Sequence, residues 1–483
     1  MVGKSTTSRS KEMEAELANR QTPWASIITV GVLLFFAGLQ FSVYFSSLWQ
    51  YLNMIEPTVS VDFLGYVMAS CAVGAALSSP ILGYWNQKTG STRHPLIFAL
   101  AIAAIGNALY ALLPSFTSNK KYLLLLARFL MGFFSGALGV LTSYLATAST
   151  KKDRTKAVAA GHLSLTIGFS VGPGVQMLFL FVDARWIGPF YLHVYNAPAY
   201  FMTLLCILAI FIILIAIKED YVGIIGKDDK SGGDLLVVPK FDRMAVFVLF
   251  FLWWMVSGFF TVEGLYAPIM VALYNLSHQE AVLYIGLIVI GTCVFSMITT
   301  AVLAKTPLSK VDRRVQILFG LCLFLFYSIA HQPWPFYEAP LDPPREGFNV
   351  SDVGGCEFSW CEHTPRVPKL LYIFNGVVIL GIAYPVLMIN VSTLLSFVVG
   401  PRKQGFIQGF YSFIGYAAEL AVPIFSTELF FKTGYSWIMK YHLVMTLICI
   451  FLVCFYKQRL QPLSLSPPLG KATKYKRGTF YRF

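Results

Sequence analysis

The sequence predicts an all-α polytopic membrane protein whose twelve transmembrane helices form two pseudo-symmetric six-helix bundles. Three observations predict it. Of 483 residues, 56% are hydrophobic and 13% charged, against roughly 45–50% and 25% in soluble globular chains. The apolar residues fall in twelve runs, most near the ~20 residues a helix needs to cross a bilayer. The second six runs echo the first six: Arg154 and Gly161, after the fourth run, correspond to Arg402 and Gly409, after the tenth, each pair 248 residues apart. Such a composition excludes a soluble enzyme, a secreted disulfide scaffold and a disordered chain.

Residues 1–24 are polar and read as a cytosolic tail. No cleavable signal peptide is expected, because the apolar run that follows is too long for one and leads into further spans. The first bundle, residues 25–217, holds predicted spans at Ser26–Tyr51, Val61–Trp85, Pro95–Leu113, Tyr122–Ala148, Ala157–Val182 and Ala197–Ile217. A polar linker, 218–243, separates it from the second bundle, 244–456. There the spans are expected at Met244–Leu273, Ala281–Leu303, Val315–Ala330, Leu370–Val399, Phe406–Phe431 and Trp437–Tyr456. Residues 331–369 form a Pro-rich loop, long enough to be functional or flexible. Residues 457–483 form a second cytosolic tail.

Orientation follows from the cations. Of 37 Lys and Arg, 28 fall on the side of the two tails, 8 on the other side, and Arg128 lies inside a span. That bias places both termini in the cytosol. The net charge of +13 therefore sets topology and offers no groove for nucleic acid. The long loop, placed on the lumenal or extracellular side, carries the sequon Asn349-Val350-Ser351 and the close pair Cys356 and Cys361. Glycans and disulfides both belong to that side. A second sequon, at Asn275, lies on the same side but close to the membrane. A bridge between Cys356 and Cys361 is therefore expected, with two unpaired thiols as the alternative, and Cys71, Cys206, Cys293, Cys322 and Cys449 read as small buried hydrophobes.

Five segments carry candidate chemistry. The loop after the second span reads Gly83-Tyr84-Trp85-Asn86-Gln87-Lys88-Thr89-Gly90-Ser91-Thr92-Arg93. Gly83 and Gly90 permit a tight turn and close helix approach, while Lys88 and Arg93 pair with helix ends or simply hold the loop in the cytosol. The fourth span contains Arg128, then Gly132 and Gly136 at four-residue spacing. An arginine at this depth costs roughly 2.5–3.5 kcal/mol on insertion scales, so it faces an interior partner or snorkels to the interface, while the glycines thin one face for packing. In the fifth span, Gly168-Phe169-Ser170-Val171-Gly172-Pro173-Gly174 combines a bend at Pro173 with a thin face at Gly172. Glu263 in the seventh span and Glu419 in the eleventh are carboxylates in apolar runs, each either a proton or ion site or a structural hydrogen-bonding group. His162, early in the fifth span, is a further candidate for the transport path and equally a packed histidine.

The signature loop, with Gln87 where an acid is usual, the arginine-glycine span and the Gly-Pro span together resemble the major facilitator superfamily. Four stretches resemble its lysosomal branch associated with neuronal ceroid lipofuscinosis. They are Phe63-Leu64-Gly65-Tyr66-Val67-Met68-Ala69-Ser70, Gln279-Glu280-Ala281-Val282-Leu283-Tyr284, the loop Gly355-Cys356 with Trp360-Cys361 and Thr364-Pro365, and Gly400-Pro401-Arg402-Lys403-Gln404-Gly405. The resemblance implies the major facilitator fold and an endolysosomal protein that moves a small solute or ion by alternating access, with chloride conduction attributed to that branch. Thr142 and Glu419 stand where basic residues are expected in that branch, which makes the path less hospitable to anions. The competing expectations are a proton-coupled carrier of an organic solute and a non-transporting receptor or scaffold on the same fold. An enzyme is not expected, since the seven histidines are scattered and form no acid–base constellation. No cofactor or metal is expected; the partners are the solute and the lipid bilayer, and the chain is expected to be a monomer.

Overall fold

Long apolar runs satisfy their own backbone as helices, and helices dominate the computed structural model. It describes residues 12–480 apart from 226–237, 262–265, 338–340, 343–354, 466–472 and scattered single or paired positions. Among the described residues, eleven helices are long and apolar enough to cross a membrane, and Arg243–Phe259 adds a shorter apolar stretch at the start of the expected seventh span. Their outward faces carry exposed large hydrophobics such as Ile81, Ile105, Leu204, Ile215 and Phe247, surfaces suited to lipid.

The helices, in chain order, are α1 Trp24–Ser42, α2 Leu48–Ile55, α3 Val61–Thr89, α4 Arg93–Leu112, α5 Lys120–Gly136, α6 Leu138–Ala148, α7 Arg154–Leu178 and α8 Ala197–Ala216. They continue with α9 Arg243–Thr261, α10 Tyr266–Tyr274, α11 His278–Lys305, α12 Arg313–Ala330, α13 Lys369–Phe374, α14 Leu380–Val399, α15 Gly405–Thr433 and α16 Tyr435–Phe455. Two short antiparallel hairpins, Arg185–Ile187 with Phe190–Leu192 and Thr473–Tyr475 with Gly478–Phe480, lie outside the spans.

Three predicted spans are not single helices. The first divides into α1 and α2. The fourth breaks at Ala137, whose N–H turns to the Phe134 and Ser135 carbonyls instead of continuing the α ladder. The tenth contains a π turn at Asn375–Ile379 between α13 and α14. Over the expected seventh span the structure describes α9 and α10 on either side of residues 262–265, and Glu263 lies outside the described residues.

The chain forms two compact units. One comprises Met1–Phe247, Ser392–Tyr416 and Arg459–Phe483, the other Val248–Val391 and Ala417–Gln458. The division differs from a six-plus-six split, because the neighbouring ends of α14 and α15 belong with the first unit. Within that unit α1 crosses α7 where Gly38 meets the Leu165 carbonyl, and α3 crosses α5 where Gly132 meets the Cys71 carbonyl. Gly136 and Gly172 make similar approaches to Ser78 and Ser42. These are small-residue crossings, in which backbones approach and dispersion replaces the absent hydrophobic drive. Both tails of the first unit pack on one end of it, hereafter the terminal face. Arg20 donates to the Ile224 carbonyl at 3.1 Å, and Leu463 N–H donates to the Phe397 carbonyl at 2.9 Å.

In the second unit, a disulfide joins Cys356 and Cys361. Cys361 lies in the short turn Ser359–His363, which places Trp360 against Phe430, and Phe358 just before it packs on the same ring, with ring centroids 5.3 and 5.7 Å away. Asn349 lies outside the described residues. Asn275 is half-buried with a left-handed backbone (φ 51°), and its side-chain oxygen is enclosed.

Candidate functional site

The terminal face of the first unit closes on a seam of three helix segments, α3, α6 and the start of α15. The seam is made of backbone. A β-carbon on Gly409 would stand 2.6 Å from the Ser79 carbonyl oxygen, and one on Gly83 would stand 2.5 Å from the Gly405 carbonyl oxygen. One on Gly139 would stand 2.7 Å from the Gly409 α-carbon. Real β-carbons do not sit that close, so only glycine lets these helices meet. Hydrogen bonds lock the contact. Ser79 Oγ donates to the Gly409 carbonyl at 2.9 Å, and Tyr416 OH donates to the Ser135 carbonyl at 2.7 Å.

The signature loop ends at this seam. Gln87, in the place of the expected acid, accepts from the Phe406 N–H at 3.0 Å. That N–H lies in the first turn of α15, where helical donors have no partner of their own. The amide thus supplies the cap without a carboxylate's attraction to the helix dipole. Gly90 takes φ 74°, which ends α3, and packs against the Lys403 side chain. Lys88 is exposed. Arg93 donates from Nε to the Ile217 carbonyl at 2.8 Å, tying the loop to the end of α8.

An acid does reach the loop, from elsewhere in the chain. Glu219 accepts from Ser91 Oγ and the Thr92 N–H at 2.8 Å and from the Arg93 N–H at 3.0 Å. Burial alone would raise its pKa, but the bonds from Arg93, Ser91 and Thr92 outweigh it and hold the carboxyl below its ordinary value. With the folded pKa depressed, the contribution is complete above the unfolded value and lost as pH falls through the folded one. Glu219→Gln should therefore speed hydrogen exchange at Ser91–Arg93 by about tenfold at neutral pH, from roughly 1–1.5 kcal/mol of lost bonding. The half-exposed site screens any larger effect. Unchanged exchange would remove Glu219 from this role.

Among the predicted path residues, Arg128 is the most informative. It is 2% exposed, and its Nε has no hydrogen-bond partner. Its neighbours are the Met131 sulfur at 4.0 Å and the Tyr44 ring, 5.5 Å from the guanidinium carbon. No described carboxylate pairs with it. Beside it, Gln40 and Asn107 exchange side-chain hydrogen bonds at 3.0 Å, and Tyr44 OH donates to Asn107 Oδ1. The arginine therefore faces inward and does not snorkel.

His162 also lies in the first unit, half-buried, with Nε2 enclosed and unbonded. Glu419 lies in the second unit, half-buried, with no hydrogen bond or ion pair among the described residues. Pro173 sits inside α7 without ending it. Thr142 bonds back to the Leu138 carbonyl at 3.0 Å.

Sequence reasoning missed several groups. Asn375, fully buried in the π turn of the second unit, has neither side-chain oxygen nor nitrogen hydrogen-bonded. An amide left so in an apolar setting is costly, and π turns often mark functional positions. No periodicity distinguishes it. Ser79, Gly139 and Tyr416 likewise carry no local signal, while Gly409 is visible only as the repeat partner of Gly161.

Eleven described helices long and apolar enough to cross a bilayer, packed in the first unit through small-residue crossings and a glycine seam, define a polytopic membrane protein of the transporter type. The profile of the Major Facilitator Superfamily matches residues 30–341, and the chain belongs to that family. It is 28% identical over 464 residues to major facilitator superfamily domain-containing protein 8 of Xenopus laevis, covering 88% of this chain and 89% of that one. In fold it is similar to the human organic anion transporter MFSD10, with a TM-score of 0.62 at 15% identity over 90% of this chain and 100% of that one. It is similar also to the proton:xylose symporter XylE, with a TM-score of 0.59 at 16% identity over 91% of this chain and 98% of that one.

Proposed function

We propose that this protein moves a small anion across an endolysosomal membrane by alternating access, with the terminal face in the cytosol. The observation that carries the reading is Arg128. A buried guanidinium with no acidic partner among the described residues is costly in a low-dielectric interior, and an anionic solute supplies the missing charge. The glycine seam is then a cytosolic gate in its closed state. Two six-helix halves, residues 25–217 and 244–456, would rock around the central path, as repeats do in such transporters. The 28 cations on the side of both tails support the orientation. The disulfide of Cys356 and Cys361 and the sequon at Asn349 support a lumenal long loop. The four stretches that resemble the lysosomal branch support the endolysosomal location, and MFSD10, described as an organic anion transporter, supports an anionic solute.

Glu419 favours a second reading, proton-coupled movement of an organic solute, because an unpartnered carboxylate within a span is suited to proton binding. Reconstitution into liposomes separates the two, by comparing chloride currents with solute uptake driven by a pH gradient. Anion flux that is insensitive to the gradient is the expected result. Uptake that requires the gradient and fails in Glu419→Gln or Glu263→Gln would replace it with the second reading. Specific ligand binding without flux in either assay would leave a receptor built on the transporter fold.

A further inference from the structure

The two arginines of the internal repeat, Arg154 and Arg402, occupy similar settings on the terminal face but differ in one respect. Each guanidinium lies over a phenylalanine ring, Arg154 over Phe397 at 5.2 Å and Arg402 over Phe241 at 5.4 Å. Arg402 also donates from Nη2 to the Pro239 carbonyl at 2.5 Å. The Arg154 guanidinium donates to no described residue. It is 4% exposed, its Nε is unbonded, and no described residue gives it a hydrogen bond or an ion pair. The adjacent Asp153 carboxylate is turned to Thr22 and Thr150, accepting at 2.9 and 3.3 Å.

Arg154 lines a cavity of about 270 Å³, far more room than a single water needs. Lys151 and Thr150 also contribute to its lining, and the remaining wall is mainly apolar. That wall comes from three separate parts of the first unit: Leu17 of the N-terminal tail, Phe397 and Pro401 at the end of α14, and Leu463 of the C-terminal tail. Gly223 brings backbone close to the guanidinium, since a β-carbon there would stand 3.0 Å from Arg154 Nη2.

We propose that this cavity binds an amphiphilic anion, a small oxyanion head on an apolar body, and that its occupant ties the two tails to the end of α14. A buried cation without a counter-charge calls for an anion, and an apolar wall rewards a hydrocarbon body. A bare inorganic anion would satisfy the arginine and leave the wall uncovered. The head is a phosphate or carboxylate, carried either by a lipid of the bilayer or by a free metabolite. The site is separate from Arg128 and does not depend on what the protein moves.

The test uses the full chain in phosphatidylcholine nanodiscs, with octyl phosphate, inorganic phosphate and octanol as probes. Octyl phosphate is expected to bind saturably, by native mass spectrometry, at least about tenfold more tightly than either of the others. Arg154→Gln should weaken it by roughly 10- to 150-fold, the range for one charge-assisted hydrogen bond. Leu463→Trp keeps the cation, fills the cavity and should also weaken binding. Nanodiscs with added phosphatidate distinguish the source: loss of the octyl phosphate response there assigns the site to a bilayer lipid, and a retained response assigns it to a free ligand. Equal binding to wild type and to either variant would overturn the proposal. So would inorganic phosphate binding as tightly as octyl phosphate, or no saturable binding at all.

Discussion

Gly409→Leu should strongly disfavour closure of the terminal face while leaving the helices intact. The atoms that a side chain there would meet are the Ser79 carbonyl oxygen at 2.6 Å and the Gly83 α-carbon at 3.1 Å. Both are backbone, so no rotamer change relieves the clash. Overpacking of this kind costs about 1–3 kcal/mol, and the cost falls only on the state in which α3 and α15 touch. The closed population should fall by roughly 5- to 150-fold, with the protein trapped open on that face. A cysteine placed at Ser79 or Ser135 would then react with an aqueous thiol reagent in the variant and stay protected in the parent. Transport, which requires both states, should drop by at least about tenfold. Protection that survives Gly409→Leu would show that the seam is not a gate. The milder Gly409→Ala should fall between the two.

Arg128→Met should separate stability from function. Methionine keeps most of the side-chain length and removes the charge. Burying an unpaired guanidinium is unfavourable, and replacing buried ionic groups by well-packed apolar ones is often stabilising by about 1–4 kcal/mol. The variant should therefore unfold at higher temperature than the parent. Its anion transport should fall by roughly 10- to 150-fold, the worth of one charge-assisted hydrogen bond. Stability gained with activity lost is the signature of a residue kept for its ligand. A destabilised variant would mean that Arg128 has a structural partner, and unaltered transport would place it outside the path.

Much of this architecture is legible in the primary sequence because a bilayer simplifies the physics. A span must be apolar, about twenty residues long and internally hydrogen-bonded, so apolar runs translate directly into α1, α3, α4, α7, α8 and their counterparts in the second half. Lone charges in such runs stand out for the same reason, which is why Arg128 and Glu419 were visible. The breaks at Ala137 and Asn375 were not visible. Hydropathy sees an unbroken run there, and the departure from the α ladder depends on what neighbouring helices offer the backbone. The role of Gln87 shows the same limit from the other side. Its local pattern lacks an acid, yet the Phe406 N–H needs only an acceptor, and Glu219 brings a carboxylate to the loop from 126 residues away at the Arg93 N–H.

The chain by itself determined the span-rich, two-part membrane architecture, the side on which its cations gather and the family to which it belongs. These depend on composition, period and short motifs, which are local properties read by water and lipid alike. Only the tertiary structure decided that Gly83, Gly139, Gly405 and Gly409 form one seam, that no described acid stands beside Arg128, and that Arg154 lines a cavity while Arg402 donates to the Pro239 carbonyl. Those facts concern which groups meet after the helices pack. A missing β-carbon or a missing counter-charge acquires meaning only from the neighbour that stands, or fails to stand, opposite it.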